Sequence, residues 1–165
     1  MNYQIFDECW KQKAANLEDW AEEKRQEFME RTLKSVCLYD EREKRRSLND
    51  FLKLEYVACS YTAQTLSVRI PILSWELNPG GTLHGGMLAS FMDTVCGLLV
   101  RFVRRTERVA TAQLNTNYLY PAREGETLIV TARVEKSGRR TTFVQAKAYI
   151  EKTEELIATM SGIFM

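Results

Sequence analysis

Histidine, proline and paired cysteines are what this chain has least of. Its 165 residues hold one histidine, His84, with three prolines and four cysteines. One histidine and no Cys-x-x-Cys leave too few soft ligands at useful spacing for zinc, so no metal site is expected. Cys9, Cys37, Cys59 and Cys96 are widely separated and read as free thiols of a reducing cytoplasm, which sets the expected localisation as cytoplasmic. An excess of one charge is also missing. Twenty-three Lys and Arg against 22 Asp and Glu leave +1, which gives no whole-chain field for nucleic acid or an anionic membrane, and neither is expected as a partner. The first residues, Met-Asn-Tyr-Gln-Ile-Phe-Asp-Glu, lack the basic start and apolar centre of a signal peptide. The longest apolar run, residues 87–103, is interrupted by Asp93 and Arg101, so it reads as a core helix and not as a membrane span.

What is present concentrates in residues 78–93, Asn-Pro-Gly-Gly-Thr-Leu-His-Gly-Gly-Met-Leu-Ala-Ser-Phe-Met-Asp. They contain the only histidine, four of the eight glycines and a carboxylate inside an apolar run. A polar Gly-rich turn changes abruptly at Gly86 into apolar sequence, which predicts a tight turn feeding a buried helix from about residue 86 to 104.

Before that stretch, residues 1 to about 47 read as a charged amphipathic helical extension. Phe6, Trp10, Ala14, Leu17, Ala21 and Phe28 fall near helical spacing, and Glu27 with Arg31 and Glu30 with Lys34 form i,i+4 pairs. Burying an aromatic such as Trp10, Trp20 or Phe28 is worth about 1.5–3 kcal/mol, so the stripe has to dock on its own domain or on a partner. Residues 40–46 alternate in sign with no aromatic between them, which fits a solvated linker better than a nucleic-acid patch. Ser47-Leu-Asn-Asp50 ahead of Phe51 and Leu52 reads as a capping box, and the domain proper is placed at residues 48–165.

From about Lys53 the period falls to two. Residues 54–61 and 65–73 read as strands joined by a turn at 62–64. After the helix come four more strand-like segments, at 109–120, 126–136, 141–151 and 156–164, with turns at Gly125 and Ser137-Gly138. The order predicts an α+β fold, an antiparallel sheet wrapped round one helix that is apolar on nearly every side. Gln113, Asn115 and Asn117 continue the face of Thr111 at a period of two, which predicts a polar face bordering the site or a wet subunit interface.

The residues of the turn also indicate a chemistry. Gly85 and Gly86 have no side chains, so a carbonyl can approach the backbone N–H groups at a helix N-terminus, where partial positive charge collects. Asp93, about two turns further on, is a costly carboxylate among apolar neighbours unless it has partners. Hydrolysis of an activated acyl group needs those two things, a base or nucleophile and donors for the developing oxyanion. Leu88, Phe91 and Met92 are apolar candidates for lining an acyl pocket. Two turns at 1.5 Å per residue separate the ends by roughly 10 Å, more than one acyl group spans.

The order of elements and the string Asn78-Pro-Gly-Gly-Thr-Leu-His84-Gly85-Gly86, followed by Asp93, resemble the hotdog-fold thioesterases of the PaaI type, from about residue 50 to the C-terminus. The resemblance implies a sheet of about five or six strands round a long central helix, and hydrolysis of an acyl-CoA thioester with no cofactor. It makes Asp93 the general base or the nucleophile, puts the substrate carbonyl on the Gly85 amide beside Gly86, and gives Asn78 and His84 an orienting or polarising role. Thr111 matches a position that holds the water or the carboxylate. The basic turn Lys136-Ser-Gly138-Arg139-Arg140, with Arg123, matches the surroundings of the nucleotide phosphates. It also implies a homodimer or dimer of dimers in which Asp93 of one protomer faces the Gly85 amide of the other. A hotdog dehydratase or hydratase and a non-catalytic acyl-CoA sensor are the alternatives.

Overall fold

The computed structural model describes residues 17–37, 48–106 and 108–165. Phe6, Trp10, Ala14, the charge run at 40–46 and the cap residue Ser47 lie outside the described residues.

The period-two segments form six strands: β1 (Glu55–Ser60), β2 (Thr65–Pro71), β3 (Thr111–Tyr118), β4 (Thr127–Ser137), β5 (Thr142–Ile150) and β6 (Leu156–Phe164). They make one antiparallel sheet in the order β1-β2-β4-β5-β6-β3. Alternation directs Leu66, Val68 and Ile70 of β2, and Leu128, Val130 and Ala132 of β4, to the inner face, where all are buried. Ala146, Ala148 and Ala158 on the neighbouring strands are small, so the inner face can close on a helix. That helix is the third, α3 (Gly85–Arg104), following α1 (Glu22–Cys37) and the four-residue α2 (Leu48–Phe51). It packs on five of the six strands. This is the α+β hotdog architecture.

By length and composition α3 alone among the described helices could cross a membrane. Ten of its 20 residues are buried inside the fold, including Phe91, Met92, Val95 and Leu99, so it is the core helix. It is not apolar on every side, however. Gly86, Ser90, Asp93, Gly97, Arg101 and Arg104 recur at steps of three and four and form a small and polar stripe that the sheet leaves uncovered.

The N-terminal stretch is not one continuous helix. A 3-10 turn at Leu17–Asp19 precedes α1, Ala21 is exposed, and the buried face of α1 is Phe28, Met29, Thr32, Leu33, Val36 and Cys37. This face joins the same core as the sheet, with Phe28 against Trp20 and Phe102 at ring separations of 5.7 and 5.8 Å. Of the two anticipated i,i+4 pairs, Glu30 and Lys34 meet at 3.3 Å.

α1 also closes one edge of the sheet. Gln26 Nε2 donates to the Cys59 carbonyl and Gln26 Oε1 accepts the Tyr61 N–H, both at 2.8 Å. Those are two backbone groups that a further strand beside β1 would use, so a side-chain amide takes the place of a peptide. A register shift between Tyr56 and Ala58 distorts the rest of that edge. The opposite edge strand, β3, has no strand on its outer side among the described residues.

β3 departs from regular alternation in a way that matters for the site. Its pairing with β6 shifts register between Thr111 and Gln113. Thr111 and Tyr118, seven residues apart, would face opposite ways on a regular strand. The bulge brings both to the α3 side, with Leu114 between them against the core. Gln113, Asn115 and Asn117 therefore do not continue the face of Thr111. They are exposed on the outer surface, where Asn117 Nδ2 donates to Thr159 Oγ1 of β6 at 3.4 Å.

Candidate active site

The Gly-rich turn is held together by its own polar groups. Asn78 Oδ1 accepts the N–H of Gly80 at 2.9 Å and of Thr82 at 3.3 Å, and Asn78 Nδ2 donates to Thr82 Oγ1 at 2.9 Å. Gly81, at φ +75°, makes the reversal that a side chain would strain. The amide of Asn78 thus closes the loop. Glu76, buried to 1 % exposure, anchors the loop from below: its Oε2 accepts the Leu73 N–H at 2.8 Å and its carbonyl accepts the His84 N–H at 2.9 Å. Burial pushes the Glu76 carboxyl upward, against the opposing pull of the Leu73 N–H.

His84 is the N-cap of α3, and its Nδ1 accepts the Gly86 N–H at 2.9 Å. Since Nδ1 uses its lone pair in this bond, the ring carries its proton on Nε2, which is left as a donor. The His84 carbonyl accepts from Met87 and Leu88, fixing the peptide that bears the Gly85 N–H. The Gly85 N–H itself makes no hydrogen bond among the described residues and lies at the positive end of a 20-residue helix. Tyr118 closes this corner: its hydroxyl donates to the Gly85 carbonyl at 2.9 Å, and its ring lies 3.4 Å from where a Gly85 side chain would begin.

Asp93 lies eight residues along α3, about 12 Å by helical rise. Thr111 Oγ1 donates to Asp93 Oδ1 at 2.8 Å, and Oδ2 has no hydrogen-bond partner among the described residues. Burial drives the Asp93 carboxyl above its ordinary value and outweighs the Thr111 bond, which pulls it down. A cleft of about 460 Å³ opens beside this carboxylate, bounded by Thr111, Gly97, Leu98, Arg101, Arg108 and Met165. Cys96, one turn from Asp93 on the buried side, is no rival nucleophile, because burial and the nearby Asp93 push its thiol strongly upward.

The three predicted acyl-pocket residues on the helix, Leu88, Phe91 and Met92, are core side chains, 4 %, 0 % and 0 % exposed, and do not bound this cleft. The helical period that exposes Gly86, Ser90, Asp93 and Gly97 turns Leu88 and Met92 toward the sheet.

The predicted phosphate residues separate into two groups. Lys136, Gly138, Arg139 and Arg140 form the β4–β5 hairpin tip, and Arg104, in the last turn of α3, donates to the carbonyls of Arg139 (3.3 Å) and Arg140 (3.1 Å). The tip therefore sits at the Asp93 end of the uncovered stripe. Arg123 is at the other end, in a β-bridge with Thr82, with its backbone N–H on Glu126 Oε2 at 2.7 Å. Among the described residues no group of three or more His, Cys, Asp or Glu is placed to hold a metal.

Tyr118, Glu76, Arg101 and Arg108 are the members of this region that the sequence did not disclose. Tyr118 acts through a contact across 33 residues and Glu76 is the one buried residue of a 3-10 turn, and neither carries a local motif. The step Asp93, Gly97, Arg101 was the available signal for Arg101.

Comparison with known proteins gives a consistent assignment. Residues 80–157 match the model of the thioesterase superfamily. The chain is 35% identical over 108 residues to the Pseudomonas aeruginosa protein PA0474, named as an esterase, covering 64% of this chain and 79% of that protein. It is 31% identical over 99 residues to acyl-coenzyme A thioesterase 13 of Mus musculus, covering 60% of this chain and 71% of the relative. In three dimensions it superposes on thioesterase superfamily member 2 from Mus musculus with TM-score 0.68 at 23% identity, covering 82% of this chain and 95% of the other. With the Gly-rich turn, the helical Asp93 and the wrapped sheet all in place, the chain belongs to the thioesterase superfamily.

Proposed function

We propose that this protein hydrolyses acyl-CoA thioesters to a free acid and CoA, in a site shared by two protomers. The observation that carries the reading is the Asp93 carboxylate, held by Thr111 through Oδ1 and open at Oδ2, on the uncovered stripe of the helix whose N-terminus offers the free Gly85 N–H. The name of the mouse relative supports CoA as the carrier of the acyl group.

Asp93 Oδ2 takes a proton from water as the oxygen attacks the thioester carbon. The carbonyl becomes an oxyanion, which accepts the Gly85 N–H, with His84 Nε2–H as a second donor. Collapse of the intermediate breaks the C–S bond, and the proton held by Asp93 passes to the departing CoA thiolate. The elevated Asp93 pKa suits this role, since the carboxylate is a stronger base than an exposed one. Asp93 as nucleophile, through an acyl anhydride, uses the same atoms.

About 12 Å of helix separates Gly85 from Asp93, so one thioester does not reach both in one chain. Three features support a second copy of the chain as the missing half. Among the described residues the outer edge of β3 is open and the polar stripe of α3 is uncovered, and Tyr118, Leu119 and Tyr120 are all more than half exposed beside it. A two-fold arrangement sets Gly85 of each protomer against Asp93 of its partner. Arg139 and Arg140 at the hairpin tip would grip the nucleotide phosphates.

A hydratase would need the histidine as a proton shuttle, and the Nδ1 of His84 is occupied by Gly86. Thiol release from a panel of acyl-CoAs tests the reading. Turnover by the wild type that disappears in Asp93→Asn supports it; binding without release in both proteins points to a sensor.

A further inference from the structure

We infer that Tyr118 is a positioning residue for the oxyanion donor: its hydroxyl latches the Gly85 carbonyl and so fixes the direction of the Gly85 N–H. This rests on the proposed thioester hydrolysis for its catalytic consequence, though not for its geometry.

Two adjacent glycines at a helix start present a conflict. Gly85 must lack a side chain if a substrate carbonyl is to approach its N–H, yet glycine is the residue least restrained by its own sterics. An oxyanion donor is effective only when its position is set before the charge develops. Rigidity therefore has to come from neighbours. The peptide joining Gly85 to Gly86 is held at both ends, its N–H by His84 Nδ1 at 2.9 Å and its carbonyl by the Tyr118 hydroxyl at 2.9 Å. The Tyr118 ring lies beside Gly85, with Cε1 and Cζ 3.4 Å from where a side chain at Gly85 would begin.

Tyr118 is 54 % exposed in the protomer, so packing into its own core does not account for it. The bulge at the start of β3 gives it a companion. It turns Thr111 and Tyr118 to the same side, so that one edge strand holds Asp93 at one end and Gly85 at the other. Both halves of the chemistry are thereby referenced to a single strand.

The test uses Tyr118→Phe in the full-length protein, which keeps the ring and removes the hydroxyl. Exchange of the Gly86 amide proton, followed by NMR, should accelerate about tenfold, because loosening one end of the peptide weakens the hydrogen bond at the other. In kinetics, kcat should fall about tenfold or more with KM changed less than about twofold, since the lost restraint acts on the transition state. Adding Gly85→Ala should make the loss from Tyr118→Phe disappear, because the pair acts as a unit. Unchanged Gly86 exchange in Tyr118→Phe would overturn the latch. So would an undiminished kcat, or an equal loss from Tyr118→Phe in the Gly85→Ala background. A wild type that releases no thiol while Gly86 exchange responds as expected would refute the proposed reaction and leave the latch standing.

Discussion

Thr111 Oγ1 donates to Asp93 Oδ1 at 2.8 Å, joining the first residue of an edge strand to a carboxylate two turns inside the core helix. The bond favours the ionised carboxyl against a burial effect that disfavours it. Removing the hydroxyl in Thr111→Val therefore lets the Asp93 pKa climb further. The acid limb of the kcat/KM profile should move to higher pH, with a loss of about tenfold below it, as expected for one charge-assisted hydrogen bond. A pH–rate profile unchanged from wild type would separate Thr111 from the chemistry.

Asp93 itself should show a conflict between function and stability. Its folded pKa is raised, so the folded protein holds that proton more tightly than the unfolded chain does. Ionised Asp93 then costs stability. The cost is absent below the unfolded pKa of about 3.9 and grows as pH rises through the raised folded value. Asp93→Asn should melt above wild type at neutral pH, with the difference closing near pH 3, while thiol release falls by about 10²–10⁴-fold. Thermal melts across pH check the first half and a thiol assay the second.

The hairpin tip predicts a split between substrates. Arg139→Ala and Arg140→Ala should raise KM for a CoA thioester about three- to tenfold each, as loss of an exposed phosphate contact would. A short thioester without a nucleotide should be unaffected. Equal effects on both would remove the phosphate assignment.

Gln26 makes a stability prediction independent of any reaction. Gln26→Ala leaves the Cys59 carbonyl and the Tyr61 N–H without their partner, at a cost of about 1–3 kcal/mol. Denaturant melts should record the loss, and the Tyr61 amide should exchange faster. An unaltered melt would show that water replaces the side chain at no cost.

Much of the fold was legible because it rests on local periodicity. Leu128, Val130, Ala132 and Val134 alternate in sequence and are buried in the structure, and the turn at residues 78–86 announced the helix start within one residue. The unread parts depend on relations that no window of sequence contains. The bulge between Thr111 and Gln113 is a pairing mismatch with β6, so strict alternation assigned Gln113, Asn115 and Asn117 to the wrong face. Ala21 was read onto the buried stripe by assuming one unbroken helix, whereas it lies between a 3-10 turn and α1 and is exposed. Leu88 and Met92 were chosen for being apolar beside the glycines, where the relevant fact was their rotation about the helix relative to Asp93. Tyr118 reaches Gly85 only through the folded sheet.

The shared site is the central claim, and mixed dimers test it most directly. Chains carrying Asp93→Asn and chains carrying Gly85→Val are each expected to be inactive alone. After co-refolding at equal amounts, half of the dimers are hybrids, and each hybrid holds one site with both intact halves. Thiol release should therefore recover to about a quarter of the wild-type rate, given random pairing about a two-fold axis. If Gly85 and Asp93 of the same chain serve one site, every site in a hybrid is damaged, and release would stay at the level of the separate variants.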